Sequence, residues 1–125
     1  MNTREVGEKL VEMCRNNQAY QAMETLYDPQ IVSVEAVAGP DARRETRGLE
    51  GCIAKSKQFD ARFEVHKVLA EGPFPHDDRF AVFFKYEVTF KPTGQKSSLD
   101  EVALYTVRDG KIVREEFFYL PPPGA

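Results

Sequence analysis

Acidic side chains stand where alternating strands should be apolar, and they have the most chemical reach in this chain. Residues 98–107 read Ser-Leu-Asp-Glu-Val-Ala-Leu-Tyr-Thr-Val, and residues 111–119 read Lys-Ile-Val-Arg-Glu-Glu-Phe-Phe-Tyr. Each segment alternates as a strand does, yet each puts a carboxylate on both of its faces. A half-buried hairpin carries Glu on its inner face only where that face borders a cavity, a partner or water. Glu35 poses the same problem inside the apolar run of residues 31–37. An ionised carboxylate is not buried unpaired, so Glu35 is exposed, paired, or set in a pocket with a raised pKa. In a pocket it is a usable general base.

His66, in Phe-Glu-Val-His-Lys-Val, is the candidate acid beside that base, making Glu35 and His66 the catalytic pair. The competing reading is a hydrogen-bonded or surface histidine. The candidate ligand pocket comprises Phe84, Tyr86, Glu101, Tyr105, Glu115, Phe117 and Tyr119. The tyrosines either donate to a bound carbonyl or pack in the core with their hydroxyls satisfied. Which carboxylates share a face depends on the turn at Arg108-Asp109-Gly110. A three-residue turn with Gly110 in a left-handed bulge, the favoured form, carries the Glu101 face through Val113, Glu115, Phe117 and Tyr119. A two-residue type I′ turn carries it instead through Ile112, Arg114, Glu116 and Phe118.

Other chemistries find no support. His76-Asp77-Asp78 lies among turn residues with no second ligand set, so no metal site is expected. There is no Gly-rich phosphate loop, nucleophile elbow or Cys-His signature, and no cofactor is expected. Cys14 and Cys52 fall in helical patterns and read as buried free thiols, too few for a disulfide framework. The net charge of −3 is spread along the chain without a basic stripe, which argues against a nucleic-acid partner. No apolar run is long enough to span a bilayer, and the first residues are polar, so no membrane partner and a cytoplasmic location are expected.

The elements that must position these groups are legible. A length of 125 residues, 42% hydrophobic and 30% charged, fits one soluble domain. That domain should take residues 1–120, with a Pro-rich frayed tail at 121–125. Val6, Leu10, Met13 and Cys14 predict a helix over residues 3–15. Tyr20, Met23, Leu26 and Tyr27 predict a second, closed by Asp28-Pro29. A strand at 31–37 and a polar loop at 39–48 precede a third helix through Leu49, Cys52, Ile53, Ser56 and Phe59. The period then changes to two, giving strands at 63–71 and 80–90, a breaker-rich connection at 72–78, a turn at 91–94 and the final hairpin. Helices gathered on one face of a curved antiparallel sheet make an α+β domain.

With Leu26-Tyr27-Asp28-Pro29-Gln30-Ile31-Val32-Ser33-Val34-Glu35, Thr46-Arg47-Gly48-Leu49-Glu50-Gly51, residues 80–86 and Val107-Arg108-Asp109-Gly110-Lys111-Ile112-Val113, this order resembles the nuclear transport factor 2-like superfamily. Within it the chain is similar to the SnoaL-like proteins and ketosteroid isomerases. The resemblance implies a cystatin-like cone with an apolar pocket at its open end. It also implies a homodimer through the outer face of the sheet, where Val102, Leu104, Ile112 and Phe118 would otherwise be bare. Glu35 falls where those isomerases keep their proton-shuttling carboxylate. Val11 and Ala103 fall where they keep a Tyr and a protonated Asp that hold the substrate oxyanion. Neither Val11 nor Ala103 can donate a hydrogen bond, so steroid isomerisation is not expected. Two readings follow: a cofactor-independent isomerase, cyclase or dehydratase acting on a hydrophobic, carbonyl-bearing small molecule, or a non-catalytic binding or assembly module.

Overall fold

The computed structural model describes residues 1–39 and 41–120; the expected tail at 121–125 lies outside the described residues. In chain order the elements are α1 (Thr3–Arg15), α2 (Ala19–Leu26), β1 (Tyr27–Val34), β2 (Glu45–Arg47), α3 (Leu49–Arg62), β3 (Phe63–His76), β4 (Arg79–Phe90), β5 (Gln95–Arg108) and β6 (Lys111–Phe118). The strands form one sheet in the order β2-β1-β6-β5-β4-β3. All neighbours are antiparallel except β1 and β6, which run parallel. This is the α+β architecture expected, with a mixed curved sheet.

Local chemistry accounts for the helix that fills the sheet. The Asn2 side chain accepts from the Glu5 amide at 2.8 Å while the Glu5 carboxylate accepts from the Asn2 amide at 3.0 Å, a capping box that starts α1. Val6, Leu10, Val11 and Met13 form its buried stripe. Gly7 lies on the same side: a Cβ there would stand 2.7 Å from Pro73, so α1 reaches β3 at a distance that only glycine allows. Phe80, Leu26, Ile31, Ile112 and Val82 complete a core with almost no exposure.

Several boundaries differ from the sequence reading. Tyr27 opens β1 rather than closing α2, because the approach of Asp28-Pro29 draws the preceding backbone into the extended region. β1 ends at Val34, leaving Glu35 just beyond it. The polar loop contains the short edge strand β2, pinned by Val32, Ser33 and Val34 of β1. β3 runs on to His76 by absorbing Gly72-Pro73 as an irregularity between Glu71 and Phe74.

The final hairpin joins parts of both expectations. Arg108 pairs with Lys111, and Asp109 and Gly110 both have positive φ, 52° and 75°, which is the two-residue type I′ form rather than the left-handed bulge turn. The bulge occurs one step later. Val107 faces Ile112 but Thr106 faces Arg114, so Val113 is the extra residue. That insertion restores the pairing Tyr105↔Glu115 and Ala103↔Phe117 on the inner face. Ile112, expected on the outer face, is paired by the two-residue turn with the inner Val107 and is fully buried inside.

The outer face keeps two rows of paired residues: Glu71, Phe83, Val102 and Phe118, then Phe74, Ala81, Leu104 and Glu116. Val102, Phe118 and Phe74 are 41%, 52% and 60% exposed.

Candidate functional site

Glu115 is the deepest carboxylate, 3% exposed. Its Oε1 accepts a hydrogen bond from the Tyr27 hydroxyl at the opposite end of β1. Across the parallel β1–β6 pair it faces Ser33, which is itself fully buried. Lys55 reaches in from α3 and donates to Ser33 Oγ at 2.6 Å. The same ammonium stands 3.7 Å from Glu35 Oε1 and 5.3 Å from the centre of the Phe117 ring. Glu35 Oε2 is buried and has no hydrogen-bond partner among the described residues. One cation thus stands among carboxylates drawn from β5, β6 and the segment after β1.

The electrostatics follow from that imbalance. Burial, then the neighbouring charges of Glu35 and Glu115, push Glu101 up to about 7, with Lys55 opposing. Burial also raises Glu115, against hydrogen bonds from Tyr27 and Ser33 and the charge of Lys55. Near neutral pH Glu101 is divided between acid and carboxylate, a state suited to giving as well as taking a proton. Burial and the acidic neighbours raise Tyr27, Tyr86 and Tyr105 well above the usual phenol range, so these hydroxyls stay protonated.

The structure brings some of the expected site residues together and sets others apart. Glu35, Phe117 and Tyr119 line an open cleft of about 240 Å³, with Arg44, Glu116 and Phe118 from the outer rim around it. The Tyr119 hydroxyl lies against the backbone amides of Ala36 and Val37. Glu101 faces Glu35 and Glu115. Phe84 and Tyr105, expected as pocket lining, are 2% and 3% exposed and belong to the core. Tyr105 stacks on Phe80 at 4.9 Å and Phe84 on the half-buried Tyr86 at 5.8 Å. They support the site from beneath.

His66 does not join Glu35. It is the extra residue where β3 slips between Val65 and Lys67, so the alternation that pointed it inward breaks there. It is exposed, with Nε2 2.7 Å from Thr89 Oγ1.

A second cleft, about 380 Å³, lies between α1 and Gly72-Pro73 and shares no lining residue with the first. His76 and Asp77 form only an exposed pair at 3.7 Å, and no metal-holding group of His, Cys, Asp or Glu occurs among the described residues. Cys14 and Cys52 are free, and burial raises both thiols to about 11, which keeps them protonated and unreactive at neutral pH.

Sequence reasoning missed Lys55, Ser33 and Tyr27. Only Lys55 left a signal: it follows Cys52 by three positions on α3 and so shares its inward side.

The family model for the SnoaL-like domain matches residues 1–119. The chain belongs to the SnoaL-like family. Among solved structures, this SnoaL-like domain is 38% identical to a Mesorhizobium loti protein provisionally described as a SnoaL-like polyketide cyclase, with carbohydrate phosphatase as a second label. That match covers 95% of this chain and 100% of the other, with a TM-score of 0.89. A nuclear transport factor 2-like protein of Burkholderia thailandensis is 17% identical over 94% and 90% of the two chains, with a TM-score of 0.80. A Bacillus subtilis protein provisionally described as an isomerase is 18% identical over 97% and 91%, with a TM-score of 0.78. The last two establish the shared fold alone. No curated protein matches the sequence. No described helix of the SnoaL-like domain is long and apolar enough to cross a membrane.

Proposed function

We propose that the inner side of the sheet carries a cofactor-independent proton-transfer site for a small hydrophobic molecule bearing a carbonyl group. Glu35 is the proton acceptor, and the reaction is an isomerisation, cyclisation or dehydration. One observation carries this reading: Glu35 has one oxygen beside Lys55 and the other buried without a partner. A carboxylate oxygen with no donor committed to it keeps its capacity to accept a proton, and the Glu35 side chain is 30% exposed toward the cleft. The provisional description of the Mesorhizobium loti protein as a polyketide cyclase supports the same class of chemistry. The cleft beside Glu35, about 240 Å³, falls below the roughly 300–1,000 Å³ usual for drug-sized ligands, so the substrate is small. His66, on its exposed bulge, has no part in this mechanism.

The test needs no prior substrate. A panel of small enolisable ketones is incubated with the protein in heavy water, and deuterium uptake at the α-carbon is followed by NMR. Glu35→Gln should slow exchange by about a hundredfold. Equal exchange by the variant, or none by the native protein across the panel, would sink the proposal.

A second reading rests on a separate observation, the exposed apolar rows at Val102, Phe118 and Phe74. That face suits a homodimer, in which a second copy covers what water otherwise meets.

A further inference from the structure

Taking a proton from the carbon beside a carbonyl moves the C–H electron pair into a new C=C bond and the carbonyl π pair onto oxygen. Glu35 becomes the carboxylic acid, and that same proton returns to carbon at the end of an isomerisation. Between the two steps the substrate oxygen is anionic. A base alone is therefore half a site, and a donor must stand where the oxygen charge develops.

Lys55 meets the requirement. An ammonium has three N–H donors, and Ser33 Oγ at 2.6 Å takes one. Glu35 Oε1 at 3.7 Å lies outside hydrogen-bond reach, so it attracts the charge without consuming a donor. No other hydrogen bond is made by Lys55 among the described residues. The side chain is 27% exposed and stands behind the cleft wall, 3.7 Å from Glu35 and 5.3 Å from the centre of the Phe117 ring, the two lining residues it adjoins. Three acidic groups face it: Glu35 after β1, Glu101 on β5 and Glu115 on β6, with Cys52 one turn back on α3. Burial shifts both Glu101 and Glu115 toward their neutral forms, which lowers the repulsion an incoming anion would meet.

We infer that Lys55 is a second catalytic residue, which binds the substrate oxygen as it passes from carbonyl to enolate while Glu35 holds the proton. The substrate class narrows accordingly to small molecules whose carbonyl oxygen and acidic C–H bond lie on adjacent atoms. This rests on the proton-transfer reading of Glu35.

The experiment uses two probes of nearly equal shape, 4-nitrophenol, which ionises, and 4-nitroanisole, which cannot. Bound 4-nitrophenol should show more of the phenolate absorbance than the free compound at the same pH. Lys55→Met should weaken phenolate binding about tenfold, and Lys55→Arg should retain most of it. Glu35→Gln should leave phenolate binding intact or stronger. Unchanged 4-nitroanisole binding by Lys55→Met would show that the variant keeps its fold and cleft. If 4-nitrophenol binds without extra ionisation, or equally to Lys55→Met, the role of Lys55 is wrong and the cleft survives. If neither probe binds the native protein, the cleft reading falls as well.

Discussion

Glu115 and Glu116 are chain neighbours with identical side chains, and they live in opposite worlds. Glu115 is 3% exposed and accepts from Tyr27, whereas Glu116 lies on the outer face with Arg114 Nε at 3.2 Å. One step along a strand separates them, because successive side chains point to opposite sides of a sheet. The inner carboxylate resists ionisation, and its partners are neutral hydroxyls except for the charge of Lys55. The outer one keeps 31% of its side chain exposed and has a cation beside it, an arrangement worth little to stability. Residue type says almost nothing about what these two groups do; the face of the sheet says nearly everything.

The most forceful way to break this comparison is to truncate both. Glu115→Ala leaves the Tyr27 hydroxyl buried without an acceptor and opens a hole beside Ser33, so a loss of about 3 kcal/mol is expected in urea denaturation. Glu116→Ala should cost less than about 0.5 kcal/mol. Equal losses would mean that the two faces do not differ in the manner described.

A smaller effect sharpens the inner half of the contrast. Glu101 titrates at about 7 in the folded protein against a reference value of 4.5. The folded state therefore holds this proton more tightly. The stability it contributes is complete below pH 4.5 and is lost as the pH rises through 7. Glu101→Gln removes that loss. The variant should exceed the native protein in stability by about 3 kcal/mol near pH ~8, with the two converging below pH ~5. A gap independent of pH would assign the effect to packing instead.

The smallest expected change in folding stability belongs to the outer face. Replacing Val102 and Phe118 by Ser should alter the unfolding free energy of the isolated chain by about 0.5 kcal/mol or less, since both are already 41% and 52% exposed. Sedimentation should nonetheless move from dimer to monomer. An unchanged mass would remove this face as the point of assembly.

The contrast between faces also explains what could be read in the sequence. Strand alternation is a local signal, and the run through Phe80, Val82, Phe84, Tyr86 and Val88 placed β4 and its inner side correctly. The segment Asn2 to Glu5 likewise carries its own start signal for α1. Glu101 was recognisable as an inner carboxylate because it interrupts that alternation, whereas the choice between Glu115 and Glu116 hung on the turn, and Glu115 comes inward through a bulge at Val113 rather than at Gly110. Lys55 was not, because a lysine on a helix ordinarily reads as a solvated residue and its partners are 22 positions away at Ser33 and 20 at Glu35. Tyr27 was hidden for a similar reason, since its partner Glu115 is 88 positions distant. His66 failed differently: a single slipped residue in β3 reversed the parity on which its inward placement depended.

The same kind of slip at Val113 is information carried by the pairing register. Every residue of β6 beyond Val113 owes its side of the sheet to that one extra position. Were the same residues paired without the slip, Val113 would face Thr106, Arg114 and Glu116 would turn toward Tyr105 and Ala103, and Glu115 and Phe117 would turn to water. No side chain would have changed, yet an acid-lined interior would have become one holding an Arg-Glu pair. In this scaffold, a bulge formed or smoothed out in the last strand is a way to exchange one chemistry for another that substitution could reach only through several coordinated steps.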